Sequence, residues 1–340
     1  MVEFGGSKMR VCWAYEDTPG TFETSGFVPF GRIQGSPSVT GDNAVYPIYG
    51  GGRINPVDVL EGHLDLGVNI EWYPQDASAL INAIGNFDTT SPVTNTSNYK
   101  HLGATEDSTS TTAAPVEYEA GYNSISFGLD GATDDVLNIT GAKCNNLTIT
   151  SGQSEPLKAV ADYMFLNFST DTSVDSYSEL TQGPWSFVHQ IGALTVNGSA
   201  TADVTELGLS VSNNLSAVKG MGSRKPTTIL QGNRKISGNV NLNYDTTTEL
   251  KYWMDNAASP TTPIADAEVK EFNFSVLYDN NVSPTTGATY RALEINIKNC
   301  KLGQLTRTVP STGEVVTESY SYEGREVEIN YWDATSSDPW

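Results

Sequence analysis

The chain has 340 residues, 38% of them hydrophobic, which is enough for two domains of ordinary size with modest cores. Its 40 acidic residues against 19 basic ones give a net charge of −21, the wrong sign for a protein that grips nucleic-acid phosphates. No run of 18 apolar residues is present to cross a membrane as a helix, and Met1 to Tyr15 lack the apolar stretch of a secretory signal.

Gly, Ser, Thr and Asn are abundant and strong helix formers are sparse, which predicts a mainly β chain with many turns. Gln34 to Pro56 reads as an irregular segment with a Gly-rich, basic tip, Gly50-Gly51-Gly52-Arg53. Next, Leu64, Leu66, Val68, Ile70 and Trp72 occupy every second position, so they share one face of a strand. Asp65, Gly67, Asn69 and Glu71 then face the other way. Asp76 can cap a helix over Ala77 to Ile84, and Gly85 is a natural stop. Thr89 to Pro115 is Ser/Thr/Asn-rich without apolar period and reads as a long surface loop.

The chain then repeats itself. Pro56-Val57-Asp58-Val59-Leu60-Glu61-Gly62 returns 170 residues later as Pro226-Thr227-Thr228-Ile229-Leu230-Gln231-Gly232. Leu66, Asn69 and Ile70 meet Ile236, Asn239 and Val240 at the same offset. Leu137-Asn138-Ile139 returns 158 residues later as Ile295-Asn296-Ile297, so the second copy is shorter between the two blocks. Upstream, Phe30 to Ile33 resembles Ile191 to Leu194, and each copy ends on a similar strand, Leu166-Asn167-Phe168 and Ile329-Asn330-Tyr331. A repeat at this scale points to two copies of one fold, residues 1–175 and 176–340, divided in the polar run Ser169 to Gly183. The second copy carries its own Gly-rich, basic tip, Gly220-Met221-Gly222-Ser223-Arg224-Lys225. It also carries a second helix, with Thr246 and Glu249 as a capping box and Leu250, Trp253 and Met254 as the buried stripe.

Catalytic chemistry finds no foothold. Cys12, Cys144 and Cys300 are too few and too unevenly placed for a disulfide framework and read as buried small hydrophobes. His63-Leu64-Asp65 could place two metal ligands on one strand face, but its repeat counterpart, Asn233-Arg234-Lys235, would bind nothing. Neither a zinc-protease helix nor a nucleophile elbow occurs, and Asp130 to Asp135 lack calcium-loop spacing. Eight Asn-x-Ser/Thr sequons, among them Asn138, Asn146 and Asn214, are near the number expected from composition. No catalytic residue, metal or cofactor is expected.

The order of a Gly-rich basic loop, a Pro-led Leu-(Glu/Gln)-Gly block, a long alternating strand and a short capped helix resembles the tail tube (major tail) proteins of long-tailed phages and archaeal tailed viruses. Ile191 to Ala258 carries this most clearly, from Val211-Ser212-Asn213-Asn214 to Trp253. The resemblance implies tandem β-sandwich or half-barrel domains, each with one flanking helix. It further implies a virion protein assembled in the host cytoplasm, whose strands join around a lumen. A two-domain chain would close as a trimeric, pseudo-hexameric ring, and rings would stack head to tail. Double-stranded DNA would pass through without tight binding, and the tape-measure, tail terminator and baseplate proteins would be partners. Gly50, Gly51, Gly52, Arg53, Gly220, Met221, Gly222, Ser223, Arg224 and Lys225 are the candidate ring-stacking loops. Asp65 and Glu71 are the candidate lumen-facing charges.

Two other functions fit parts of the sequence. One is a tube of a secretion or injection machine, whose subunits are usually single-domain. The other is a surface adhesin or carbohydrate-binding module, with Trp72, Tyr73, Trp185 and Trp253 as a sugar platform.

Overall fold

The computed structural model describes residues 9–35, 37–48, 55–56, 58–85, 91–92, 99–107, 116–117, 119–129, 136–152, 155–171, 195–196, 199–200, 204–243, 271–279, 291–309 and 315–333. The strands of four residues or more begin with β1 (Met9–Tyr15), β2 (Ser38–Ile48) and β3 (Asp58–Tyr73), after which helix α1 covers Ser78–Ile84. They continue as β4 (Tyr99–Ala104), β5 (Tyr122–Leu129), β6 (Val136–Gly152), β7 (Lys158–Met164) and β8 (Asn167–Asp171). Then come β9 (Val204–Ser212), β10 (Ser216–Lys219), β11 (Pro226–Leu230) and β12 (Lys235–Asn243). The last are β13 (Phe272–Asp279), β14 (Ala292–Thr308), β15 (Thr317–Gly324) and β16 (Glu326–Asp333). The chain is mainly β, as its composition predicts.

Strands β2, β3, β7, β6, β9, β12, β15 and β14 lie side by side in that order, each antiparallel to the next. They form one front sheet that runs from the first half of the chain into the second. Behind it, β1, β5, the start of β6 and β8 make one set of antiparallel neighbours. A second set is β13, the start of β14, β16 and β4.

Strands β6 and β14 belong to both layers because each bends. The bend in β6 is at Gly141 (φ 69°) and that in β14 at Asn299 (φ 53°), 158 residues apart. Positive φ suits glycine and asparagine and few other residues. Glu16 holds the first bend: its buried carboxylate accepts the Gly141 N–H at 2.7 Å, the Gly20 N–H at 2.7 Å and the Ser124 hydroxyl at 3.0 Å. Burial still raises its pKa above the ordinary glutamate value.

The core lies between front and back strands. Leu66, Val68, Ile70 and Trp72 are buried, as their alternation requires, and each side chain of that size stabilises the fold by ~1.5–3 kcal/mol. Phe30 bridges the layers, 6.3 Å from Trp13 of β1, 5.2 Å from Trp72 of β3 and 6.2 Å from Tyr163 of β7 (ring centroids). In the second half Phe274 of β13 meets Tyr322 of β15 at 5.3 Å. All seven residues of α1 are buried against β6, β4 and β16. Cys12, Cys144 and Cys300 are buried free thiols, and burial raises the Cys300 pKa to about 12.

Several expectations need correction. The N-cap of α1 is Ala77; Asp76 sits one residue earlier and accepts from the Ser78 N–H (3.1 Å) and hydroxyl (2.7 Å). Thr89 to Pro115 is not all loop, because Tyr99–Ala104 forms β4 and pairs with β16 in the other half of the chain. Gln34 to Pro56 and Val211 to Pro226 are not irregular: they supply the ascending strands of two hairpins, β2–β3 and β10–β11. Strand register matches Phe168, opposite Ile139, with Val327, opposite Ile297, and not with Tyr331. The second helix at Thr246 to Met254, the Phe30-like block at Ile191 and the boundary near residue 175 lie outside the described residues.

Two outcomes test this packing. Gly141→Ala should lower stability by about 1–3 kcal/mol in chemical denaturation, because its Cβ would sit 2.7 Å from Leu166 at a positive φ. Burial raises the Asp76 pKa from the usual aspartate range to about 6. The stability linked to that proton is complete below about pH 4 and is lost as pH rises through 6. Asp76→Asn should therefore melt higher than the parent at pH 7, by about 1–2 kcal/mol once partial exposure is discounted, and equal it at pH 4.

Candidate functional site

The two hairpins occupy matching places in the front sheet, with matching registers. Adding 170 to both members of the β2–β3 pair Thr40↔Gly67 gives Ser210↔Ser237, a β9–β12 pair. Ile48↔Asp58 likewise gives Val218↔Thr228, a β10–β11 pair. The register shift also coincides, between Asn43 and Val45 in the first hairpin and in the gap from Ser212 to Ser216 in the second.

Their surroundings differ. The tip Gly220 to Lys225 turns through Gly222 (φ 85°) and lies on the first hairpin of its own chain. The Arg224 carbonyl accepts the Leu64 N–H at 2.9 Å. The Arg224 guanidinium pairs with Glu61 and donates to Asn43 at 2.7 Å, and the Lys225 ammonium donates to Asn167 at 2.5 Å. Met221 at the apex is fully exposed, and Ser223 donates to the Lys225 carbonyl. Below the tip, Ile229 is 2% exposed, and its carbonyl accepts from the Tyr122 hydroxyl at 2.8 Å. Arg234 donates to Asn213 (2.8 Å) and to the Thr105 carbonyl (3.0 Å), while Asn213 donates to the Ala83 and Cys144 carbonyls. The second hairpin is thus held by the first half of the chain. None of Tyr122, Asn213 and Arg234 stood out in the sequence, because their partners are distant along the chain.

The first hairpin has no such cover among the described residues. Val45, Tyr46, Ile48, Val59 and Leu60 are each 43–59% exposed. Val59, the counterpart of buried Ile229, is 52% exposed. Gly50, Gly51, Gly52 and Arg53 of its tip lie outside the described residues.

The front sheet has one apolar and one polar face. Asp65 and Glu71 lie on the polar face, as their alternation with Leu66 and Trp72 predicts. Lysines neutralise both, since Asp65 pairs with Lys219 and Glu71 with Lys158 at 3.2 Å. Asp162 accepts from Asn69 at 2.6 Å, Glu206 from Asn241 at 2.7 Å, and Glu323 pairs with Lys235 at 3.1 Å. With Asp42, the six acids on this face outnumber its bases Lys158, Lys235 and Lys301. Exposed pairs of this kind add at most about 1 kcal/mol each, so they tune the field of the face more than they hold the fold.

A sugar platform finds no support, because Trp72 is fully buried and Trp185 and Trp253 lie outside the described residues. His63 has no metal-ligand cluster around it among the described residues. No helix among the described residues is long and apolar enough to cross a membrane.

No curated protein matches the chain. A family model described as phage tail tube protein matches residues 6–324, from before β1 through both hairpins to the end of β15. The chain therefore belongs to the phage tail tube protein family, a family of structural components of the virion tail.

Proposed function

We propose that the chain self-assembles into trimeric, pseudo-hexameric rings, and that the rings stack into the hollow tube through which double-stranded viral DNA passes. The observation that carries this is the single front sheet, which crosses both halves of the chain with one polar face and two free ends. Residues 1–175 and 176–340 act as two copies of one ring unit, and the shared hairpin registers and the paired bends at Gly141 and Asn299 support this. The polar face lines the lumen. Its excess of acids, in a chain of net charge −21, keeps DNA phosphates from sticking, although the lysines beside Asp65 and Glu71 soften the field.

Stacking falls to the hairpin tips. Met221 at the exposed apex and the first tip, Gly50 to Arg53, meet the adjacent ring, while Arg224 and Lys225 brace the second tip from within the chain. The chain is structural and catalyses nothing. Tape-measure, tail terminator and baseplate proteins meet it inside and at the ends of the tube, and assembly takes place in the host cytoplasm.

Electron microscopy of the purified protein across a range of salt and concentration tests the assignment. Hollow tubes are expected; compact monomers under every condition would contradict it. Met221→Asp, which leaves the turn backbone undisturbed, should give folded subunits and isolated rings but no long tubes. Long tubes from that variant would remove the second tip from the stacking contact.

A further inference from the structure

We propose that chains join side by side by repeating the strand pairing that joins the two halves within one chain. In this joint β14 of one copy pairs antiparallel with β2 of a second copy, Thr306 opposite Thr40. The inference rests on the ring reading above and gives its lateral contact a register.

Within the chain, the joint is Asn146 to Gly152 of β6 against Glu206 to Ser212 of β9, for example Thr148↔Ser210. The equivalent of the β6 segment is the end of β14. Both strands bend at a positive-φ residue, Gly141 and Asn299, and both shift register just beyond it, after Cys144 and after Leu302. This puts Thr148 in register with Thr306. The equivalent of β9 is β2, by the matching hairpin pairs, which puts Ser210 in register with Thr40.

Both equivalent edges are open. Lys301 to Thr308 of β14 pair with β15 on one side, and β2 pairs with β3 on one side, with no second strand against either among the described residues. Thr306, Arg307 and Thr308 are exposed, as are Ser38 to Asp42. Open edges of this kind invite another strand.

Carrying the joint across gives Gln304↔Asp42, Leu305↔Gly41, Thr306↔Thr40, Arg307↔Val39 and Thr308↔Ser38. The faces agree without adjustment. Gln304, Thr306 and Thr308 meet Asp42, Thr40 and Ser38 on the polar face, while Leu305 and Arg307 meet Gly41 and Val39 on the other. A slip of one residue would bring polar-face side chains opposite core-face ones. No two like charges oppose each other in this register. The same placement sets the exposed first hairpin of the second copy over the second half of its neighbour, as β10–β11 lies over the first half within the chain. Val59 would then be covered as Ile229 already is.

Disulfide trapping tests the register. Directly opposed antiparallel residues have Cα atoms about 4.5–5.5 Å apart, inside the disulfide range of about 4.4–6.8 Å. The full chain with Thr40→Cys and Thr306→Cys, assembled and mildly oxidised, should shift on a non-reducing gel to covalent dimer and then covalent trimer, with no larger closed product. Ser38→Cys with Thr308→Cys should give the same ladder and stands in if the first variant assembles poorly. Parent protein and each single variant should stay monomeric on the gel, since the native cysteines are buried.

Assembled rings without cross-links would overturn the joint and leave the ring reading standing, as would stronger trapping by Thr40→Cys with Thr308→Cys. A cross-link that leaves the mass of one chain would mean that the sheet closes on itself, which also overturns it. Absence of any ring or tube from the parent protein in the microscope would remove the ring reading and the joint together.

Discussion

The architecture depends on one stretch of backbone hydrogen bonding, the pairing of β6 with β9. Through it a strand that closes the first half of the front sheet opens the second half. Side-chain contacts reinforce the join: Asn213 and Arg234 tie the second hairpin to α1, β6 and the residue after β4, and Tyr122 clamps Ile229. A backbone ladder of this kind fixes distance, direction and face parity at once, so the two halves can share one polar face and one apolar face. That shared polarity is what a lumen wall needs.

The bends in β6 and β14 make this economical. One long strand serves the back layer with its first half and the front layer with its second, so the layers stay in register without a connecting loop. The bends require residues that tolerate positive φ, and a buried carboxylate, Glu16, holds the first by accepting the Gly141 N–H. Sheet edges are the weak point of such a design. Within one chain the edge of β6 is covered by β9, while β2 and the end of β14 remain open. The apolar surface of the first hairpin is left exposed beside one of those open edges.

Much of this was legible in the sequence, for physical reasons that also mark the limits. Leu64 to Trp72 announced β3 because one face is buried and the other wet, which enforces a period of two. Strand β2 carried no such signal because nearly all of it is exposed in one chain, so its residues obey no alternation. Strand β4 read as loop because its partner β16 lies more than 200 residues downstream, and one short strand in a Ser/Thr-rich run has little local pattern. The cap of α1 was placed one residue early because Asp76 bonds the Ser78 N–H from outside the first turn, a geometry that shares its residue type with true N-caps. Asp65 and Glu71 were placed on the correct face, but their lysine partners were not foreseen. Lys158 and Lys219 arrive from β7 and β10, and only the assembled sheet sets them beside those carboxylates.

The central claim is that each chain contributes two equivalent units to one ring. End-on images of assembled particles, averaged and tested for rotational symmetry, address it directly. The account predicts a three-fold ring with six similar lobes around a hollow centre, adjacent lobes alternating between the first and second halves of the chain. A six-fold ring of six whole chains, with the two halves at different radii, would contradict it.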